Sequence, residues 1–221
     1  MRVWIAVVVL SGTAFAQPGM MDAGVKKVPF SADVVTEIKR TLQDGNQIDR
    51  TENGKIYRDS EGRVRHDNPH TTPNGTVIHD VTITDPVGHE FIMLRPDNTA
   101  IVRHEPTPQR PLPGAHTTVR EPNGRLVKRE NLGTQEIEGL TVLGTKITRT
   151  IPAGKVGNNE PILVVTERWK SPELHEIVLE ETDDPQNGHH SMKFVNIDRT
   201  EPDPSLFQIP PDYKVVDEPR Q

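Results

Sequence analysis

Hydrophobic and polar residues alternate along most of this chain. Over residues 30–42, Phe30, Ala32, Val34, Thr36, Ile38 and Leu42 share one parity, while Ser31, Asp33, Glu37, Lys39 and Thr41 share the other. A period of two with one apolar side predicts a half-buried antiparallel strand. The β-branched residues in the stretch favour strand over helix. Similar short runs follow at 47–51, 55–58, 63–66, 77–84, 90–95 and 99–104, divided by pairs such as Asn53-Gly54, Asn74-Gly75 and Val87-Gly88. Strands at close spacing with Asn-Gly-type turns predict an antiparallel meander. Phe91, Ile92, Met93 and Leu94 are apolar at both parities, so this strand is expected to be covered on both faces.

The pattern breaks at residues 105–124, where Pro106, Pro108, Pro111, Pro113 and Pro122 fit neither a central strand nor a helix interior. A loop of that length is expected to be a lid or an excursion from the sheet. Strands resume at 126–132, 140–151, 162–169, 176–181 and 191–198. After them, Asp203 and Ser205 can cap one helical turn with proline at its start, and Pro210-Pro211 forces an extended exit. Phe207 is expected to be buried by that turn and to seal one end of the sheet. The chain reads as mainly β, with about 10–12 strands in one antiparallel sheet and little helix. A sheet of that size must curl. No fixed period recurs, which excludes a propeller or solenoid.

The first residues place this sheet in a compartment. Arg2, the apolar run 3–10 and Ala14-Phe15-Ala16 have the form of an export signal with an A-x-A cleavage site. The run is too short to span a bilayer, which takes about 20 residues. The expected organisation is a signal peptide at 1–16, a flexible leader at 17–28, one β domain at 29–216 containing the loop 105–124, and a tail at 217–221. No further run is apolar enough to span, so the mature chain is expected in the periplasm or cell envelope, as a monomer. There is no cysteine, so disulfides and a lipid-modified cysteine are both excluded. The net charge of −6 becomes −7 once Arg2 leaves with the signal. An acidic chain of this kind has no basic excess to attract nucleic acid or anionic lipid. Hydrophobic content of 33% and aromatic content of 4% point to a thin core, one sheet covered on one side.

Several local patterns together resemble a known family. They are Gly133-Thr134 with Ile137 and Gly139, a strand ending at Trp169, the corner Ser171-Pro172-Glu173-Leu174, and the closing run from Asn196 through Asp203, Phe207 and Pro210 to Tyr213. The chain is similar over residues 30–216 to exported proteins of the outer-membrane lipoprotein carrier (LolA-like) superfamily. The resemblance implies a strongly curved antiparallel sheet, an unclosed half-barrel, whose concave apolar face holds acyl chains or hydrophobic peptide segments. Where the carriers have a helical lid, this chain has the proline-rich residues 105–124. The fold also serves envelope sensing, so an envelope protein that binds another protein through a sheet edge is the alternative to a lipid or apolar-ligand binder. Phe30, Val34, Ile38, Val81, Ile83, Phe91, Met93 and Ile101 are the candidates for the lining of the concave face.

Other chemistry is weaker. His189 and His190 lie near Asp183 and Asp184, but adjacent strand residues point to opposite faces and cannot share one ion without a bulge. A structural metal site needs about four ligands. Glu180, Glu181, Asp183 and Asp184 flank a hairpin turn, where carboxylates are hydrated and their pKa is not raised. No G-x-S-x-G elbow occurs. The chain is therefore expected to be no enzyme, with no metal site and no cofactor.

Overall fold

The computed structural model describes residues 24–72, 74–104, 118–120 and 125–218. Thirteen strands form one sheet in the order β13-β6-β5-β4-β3-β2-β1-β12-β11-β10-β9-β8-β7. The strands are β1 (Phe30–Thr41), β2 (Gln47–Arg58), β3 (Val64–Thr71), β4 (Val77–Asp85), β5 (Glu90–Leu94), β6 (Thr99–His104), β7 (Thr118–Arg120), β8 (Leu126–Ile137), β9 (Leu140–Ile151), β10 (Ile162–Lys170), β11 (Ile177–Asp184), β12 (Gly188–Asp198) and β13 (Lys214–Glu218). Every pairing is antiparallel except β13 on β6, which is parallel. The end strands β7 and β13 do not pair with each other, so the sheet stays open. This is the mainly β sheet read from the alternation, and the unclosed half-barrel that the family resemblance implies.

The strand count differs from the expectation for local reasons. Asn53-Gly54 is no turn: β2 runs through it, with Gly54 opposite Val34. A Cβ on Gly54 would lie 2.7 Å from the carbonyl oxygen of Asp67. Glycine is there because the neighbouring strand comes close, not because the chain reverses. Likewise β8 runs through Gly133, whose φ of +86° makes a bulge opposite Gly144. The ring of Trp169 lies over Gly144, within 2.5 Å of where a Cβ would stand. The two unforeseen strands are β7, a short piece inside the proline-rich stretch, and β13, beyond Pro210-Pro211. Residues 105–117 and 121–124 of that stretch lie outside the described residues, as do the expected signal peptide 1–16 and leader residues 17–23. Residues 24–28 of the expected leader lie against the sheet. Lys27 N donates to Ser60 O at 2.9 Å, and Val28 packs on the main core.

Cross-strand partners share a face, so the register sorts the side chains. Phe30 faces Arg58, which faces Val64, then Thr84, Phe91 and Arg103. We call this side the Phe30 face, and the other side the Ile83 face. The main core gathers Phe30, Val34, Ile56, Val64 and Phe194 from the Phe30 face, with Leu174 from the β10–β11 corner. The rings of Phe30 and Phe194 stack at 6.2 Å.

The curl has one visible clasp. Arg58 of β2 is fully buried and reaches across β1 and β12 to Glu176, just before β11, at 2.9 Å. Phe30, Ile56, Arg58 and Phe194 are fully buried on this face of a single sheet, under Val28 and the β10–β11 corner, so the sheet curls toward the Phe30 face. Arg58 also donates to Leu174 O at 2.6 Å and Val28 O at 3.0 Å, and its guanidinium lies 4.7 Å from the centre of the Phe30 ring. Ser171 sets this corner: its hydroxyl accepts from Leu174 N at 3.1 Å, and its own N–H donates to Glu176 O at 2.8 Å.

A second core lies on the Ile83 face, where Ile83, Ile92, Leu94, Ala100 and Val102 are buried beneath Phe207, with Leu206, Ile209 and Tyr213 beside it. Phe207 closes a 3-10 turn, Pro204–Phe207, capped by Asp203. Asp203 accepts from Ser205 N at 2.9 Å, and that bond holds its carboxyl below the usual range. Glu201 binds both the N–H and the hydroxyl of Ser60 in the β2–β3 turn, and Arg65 donates to Leu206 O at 2.9 Å. The segment then crosses to the sheet edge and adds β13, which extends two residues past the expected tail boundary at 216/217.

Candidate functional site

The register divides the eight candidate lining residues. Phe30, Val34 and Ile38 on β1, Phe91 and Met93 on β5, and Ile101 on β6 all belong to the Phe30 face. Val81 and Ile83 pair with Leu94 and Ile92 and belong to the opposite face, under the C-terminal segment. They cannot share a surface with the other six. Phe30, Val34 and Ile101 are buried, whereas Ile38, Phe91 and Met93 are only partly covered. Those three leave apolar surface open on the side toward which the sheet bends.

One residue of this surface was not singled out from the sequence. His66 on β3 faces Ile56 on one side and Thr82 on the other, and Thr82 in turn faces Met93. It is partly buried, and loss of solvent pushes its pKa from 6.5 down to about 4, against the weaker pull of the Asp67 carboxylate. It is therefore neutral near pH 7. Only the inter-strand register puts His66 in line with Met93, with Thr82 between them; no spacing within residues 63–66 announces it.

His66 sets a pH response. Between pH 6.5 and 4 the unfolded chain binds a proton at this position that the folded chain refuses, so stability falls as pH falls through that window. The slope from one such group is at most about 1.4 kcal/mol per pH unit. His190, also on the Phe30 face opposite Ile38, is lowered by burial and adds in the same direction. Denaturant titrations at pH 6.5 and 4.5 should show a smaller stability loss for His66→Gln than for the wild type. Equal losses would show that His66 is solvated in the folded state.

The His189–His190 pair splits as strand geometry requires. His189 Nδ1 lies 2.8 Å from Asp183 on the Ile83 face, and His190 points to the other side. Among the described residues no three His, Asp or Glu side chains converge as a metal site would need. Glu180 pairs with Arg168 at 2.5 Å, and Thr166 and Thr182 share a hydroxyl contact at 3.1 Å on the same face. These groups make a polar margin beside Ile38. A shallow groove of about 400 Å³ on the Ile83 face is lined by Val35, Leu179 and Val195, ringed by Glu37, Lys39, Glu181 and Lys193. Two of its cations are neutralised, Lys39 by Glu37 and Lys193 by Glu138. Among the described residues no helix is long and apolar enough to cross a membrane.

No protein-family profile matches the chain, and no curated protein matches it. Solved structures do. A conserved protein from Thermus thermophilus is 12% identical with a TM-score of 0.48, over 86% of this chain and 91% of its own. MucB in its complex with MucA from Pseudomonas aeruginosa is 10% identical with a TM-score of 0.42, and this chain spans 59% of its length against 87% of its own. A LolA superfamily protein from Nitrosomonas europaea is 6% identical with a TM-score of 0.34, over 84% of this chain and 93% of its own. The structural neighbours thus include proteins of the superfamily that the sequence motifs resemble. The functional reading below rests on the sheet's own geometry.

Proposed function

We propose that this chain is an exported, non-enzymatic binding protein of the periplasm or cell envelope that holds a lipid or other apolar ligand on the Phe30 face. Phe91 and Met93 are the contact residues, Ile38 extends the apolar surface further along β1 on the same face, and Phe30, Val34 and Ile101 form the floor. The observation that carries the reading is the partial exposure of Ile38, Phe91 and Met93 on the side toward which the sheet bends. Apolar surface left open in a concavity, with a few polar groups at its margin, is the usual form of a ligand site. His66, Thr82 and the Arg168–Glu180 pair supply such groups. The export pattern at 1–16 is the support for the location.

The test is direct. Protein purified from its native envelope is extracted and analysed by mass spectrometry for co-purified lipid, and titrated with a fluorescent fatty acid. A bound lipid, and at least a tenfold loss of fatty-acid affinity in Met93→Lys but not in Leu163→Lys, is the expected result. Leu163 is exposed on the Ile83 face, away from the proposed site. Absence of lipid together with no fatty-acid binding refutes the reading.

A further inference from the structure

We propose that the outer edge of β13 pairs antiparallel with the same edge of a second copy of this chain, joining two sheets into one. β13 is the last strand in the order, so one of its edges bonds to β6, and among the described residues no strand lies beside the other. Such an edge is a template for strand addition. It is also held in a fixed register. Asn98 donates to Asp212 at 3.1 Å, Lys214 N donates to Asn98 O at 2.8 Å, and Arg103 holds Glu218 at 2.6 Å. The Tyr213 ring joins the Ile83-face core just before the strand. Pairing therefore needs little ordering of the strand.

The sequence of the strand says what fits it. Lys214-Val215-Val216-Asp217-Glu218 is complementary to itself when reversed. With a twofold axis at Val216, each Lys214 meets the Glu218 of the other copy, and Val216 meets Val216. Opposite charges across an antiparallel pair stabilise it and like charges destabilise it. Val215 and Val216, at 51% and 39% exposure, are the apolar surface this pairing covers. The register also keeps the two Phe30 faces on one side. Lys214, Val216 and Glu218 align with Thr99, Ile101 and Arg103, three residues of that face. A shift of one residue would join the Phe30 face of one copy to the Ile83 face of the other. Five residues of strand make a small contact, so the dimer is weak and depends on concentration.

The absence of cysteine makes the contact easy to trap. Directly opposed residues of an antiparallel pair lie within disulfide reach. Val216→Cys is expected to form a covalent dimer under mild oxidant at least tenfold faster than Val77→Cys, a 55% exposed control on β4. Val215→Cys, which faces Asp217 of the other copy, should cross-link several-fold more slowly than Val216→Cys. Sedimentation equilibrium of the unmodified chain should show a dimer fraction rising with concentration. Lys214→Glu, which sets Glu against Glu218 at both ends, should weaken association at least tenfold. The proposal is overturned if the chain sediments as one monomeric species up to millimolar concentration, or if Val216→Cys cross-links no faster than Val77→Cys. It is equally overturned if Val215→Cys matches Val216→Cys, or if Lys214→Glu associates as well as the wild type.

Discussion

Arg58→Met should destabilise the fold by about 3–5 kcal/mol, the usual cost of breaking a buried ion pair by removing one member. Glu176 would remain in the core with its side chain 4% exposed and the guanidinium gone. The carbonyls of Leu174 and Val28 would lose their donor at the same time. The double variant Arg58→Met with Glu176→Leu should recover most of the loss, because apolar groups of similar volume in place of a buried pair are often neutral. Urea or guanidinium denaturation of the three proteins measures this. If the single variant loses less than about 1 kcal/mol, the pair is solvated and does not clasp the curl. The same experiment bears on the site. Loss of the clasp should loosen the bend of β1, β2 and β12 around the Phe30 face, so ligand binding in the single variant should fall with stability.

Phe207→Ala should cost about 3–5 kcal/mol, the usual range for removing a buried aromatic ring. The ring is 4% exposed, covers Ile83, Ile92 and Val102, and has the Arg63 guanidinium 5.2 Å from its centre. Arg63 is itself fixed by Asp59 at 2.6 Å in the β2–β3 turn. Removing the ring thus uncovers the second core and frees the strap that carries β13. Ending the chain at Asp203 should have an effect at least as large, since it also removes the edge strand. Fatty-acid affinity should be nearly unchanged in Phe207→Ala under conditions where the protein stays folded, because the ring lies on the Ile83 face. A thermal or denaturant midpoint equal to the wild type would show that the C-terminal segment detaches in solution. A large loss of ligand affinity would instead place the site on the wrong face.

The two predictions differ in how far the sequence foresaw them. The C-terminal turn was legible: Asp203, Pro204 and Ser205 form a capped start, Phe207 is the one aromatic residue of the turn, and Pro210-Pro211 follows as an extended exit. Arg58 was not. It sits at the end of a strand like many surface cations, and nothing near it in sequence shows that Glu176 lies 118 residues away across two strands.

Parity along the chain determined that this protein is a mostly antiparallel β sheet with little helix among its described residues, and where most of the strands begin and end. These are properties of neighbours in sequence, set by the two-residue repeat of the strand. Parity names two faces within one strand. It does not say which face of the next strand continues the first, because one residue of slip exchanges them. That is why Val81 and Ile83 were grouped with Phe91 and Met93, and why His66 went unseen. It is also why Asn53-Gly54 read as a turn, since a glycine needed for reversal and one needed for close approach look alike in sequence. Only the tertiary structure decided the register across β2 to β6, the bend closed by Arg58 and Glu176, and the return of the C-terminus to β6. Each of these depends on contacts between residues far apart in the chain, whose free energy is set by who meets whom and not by local preference.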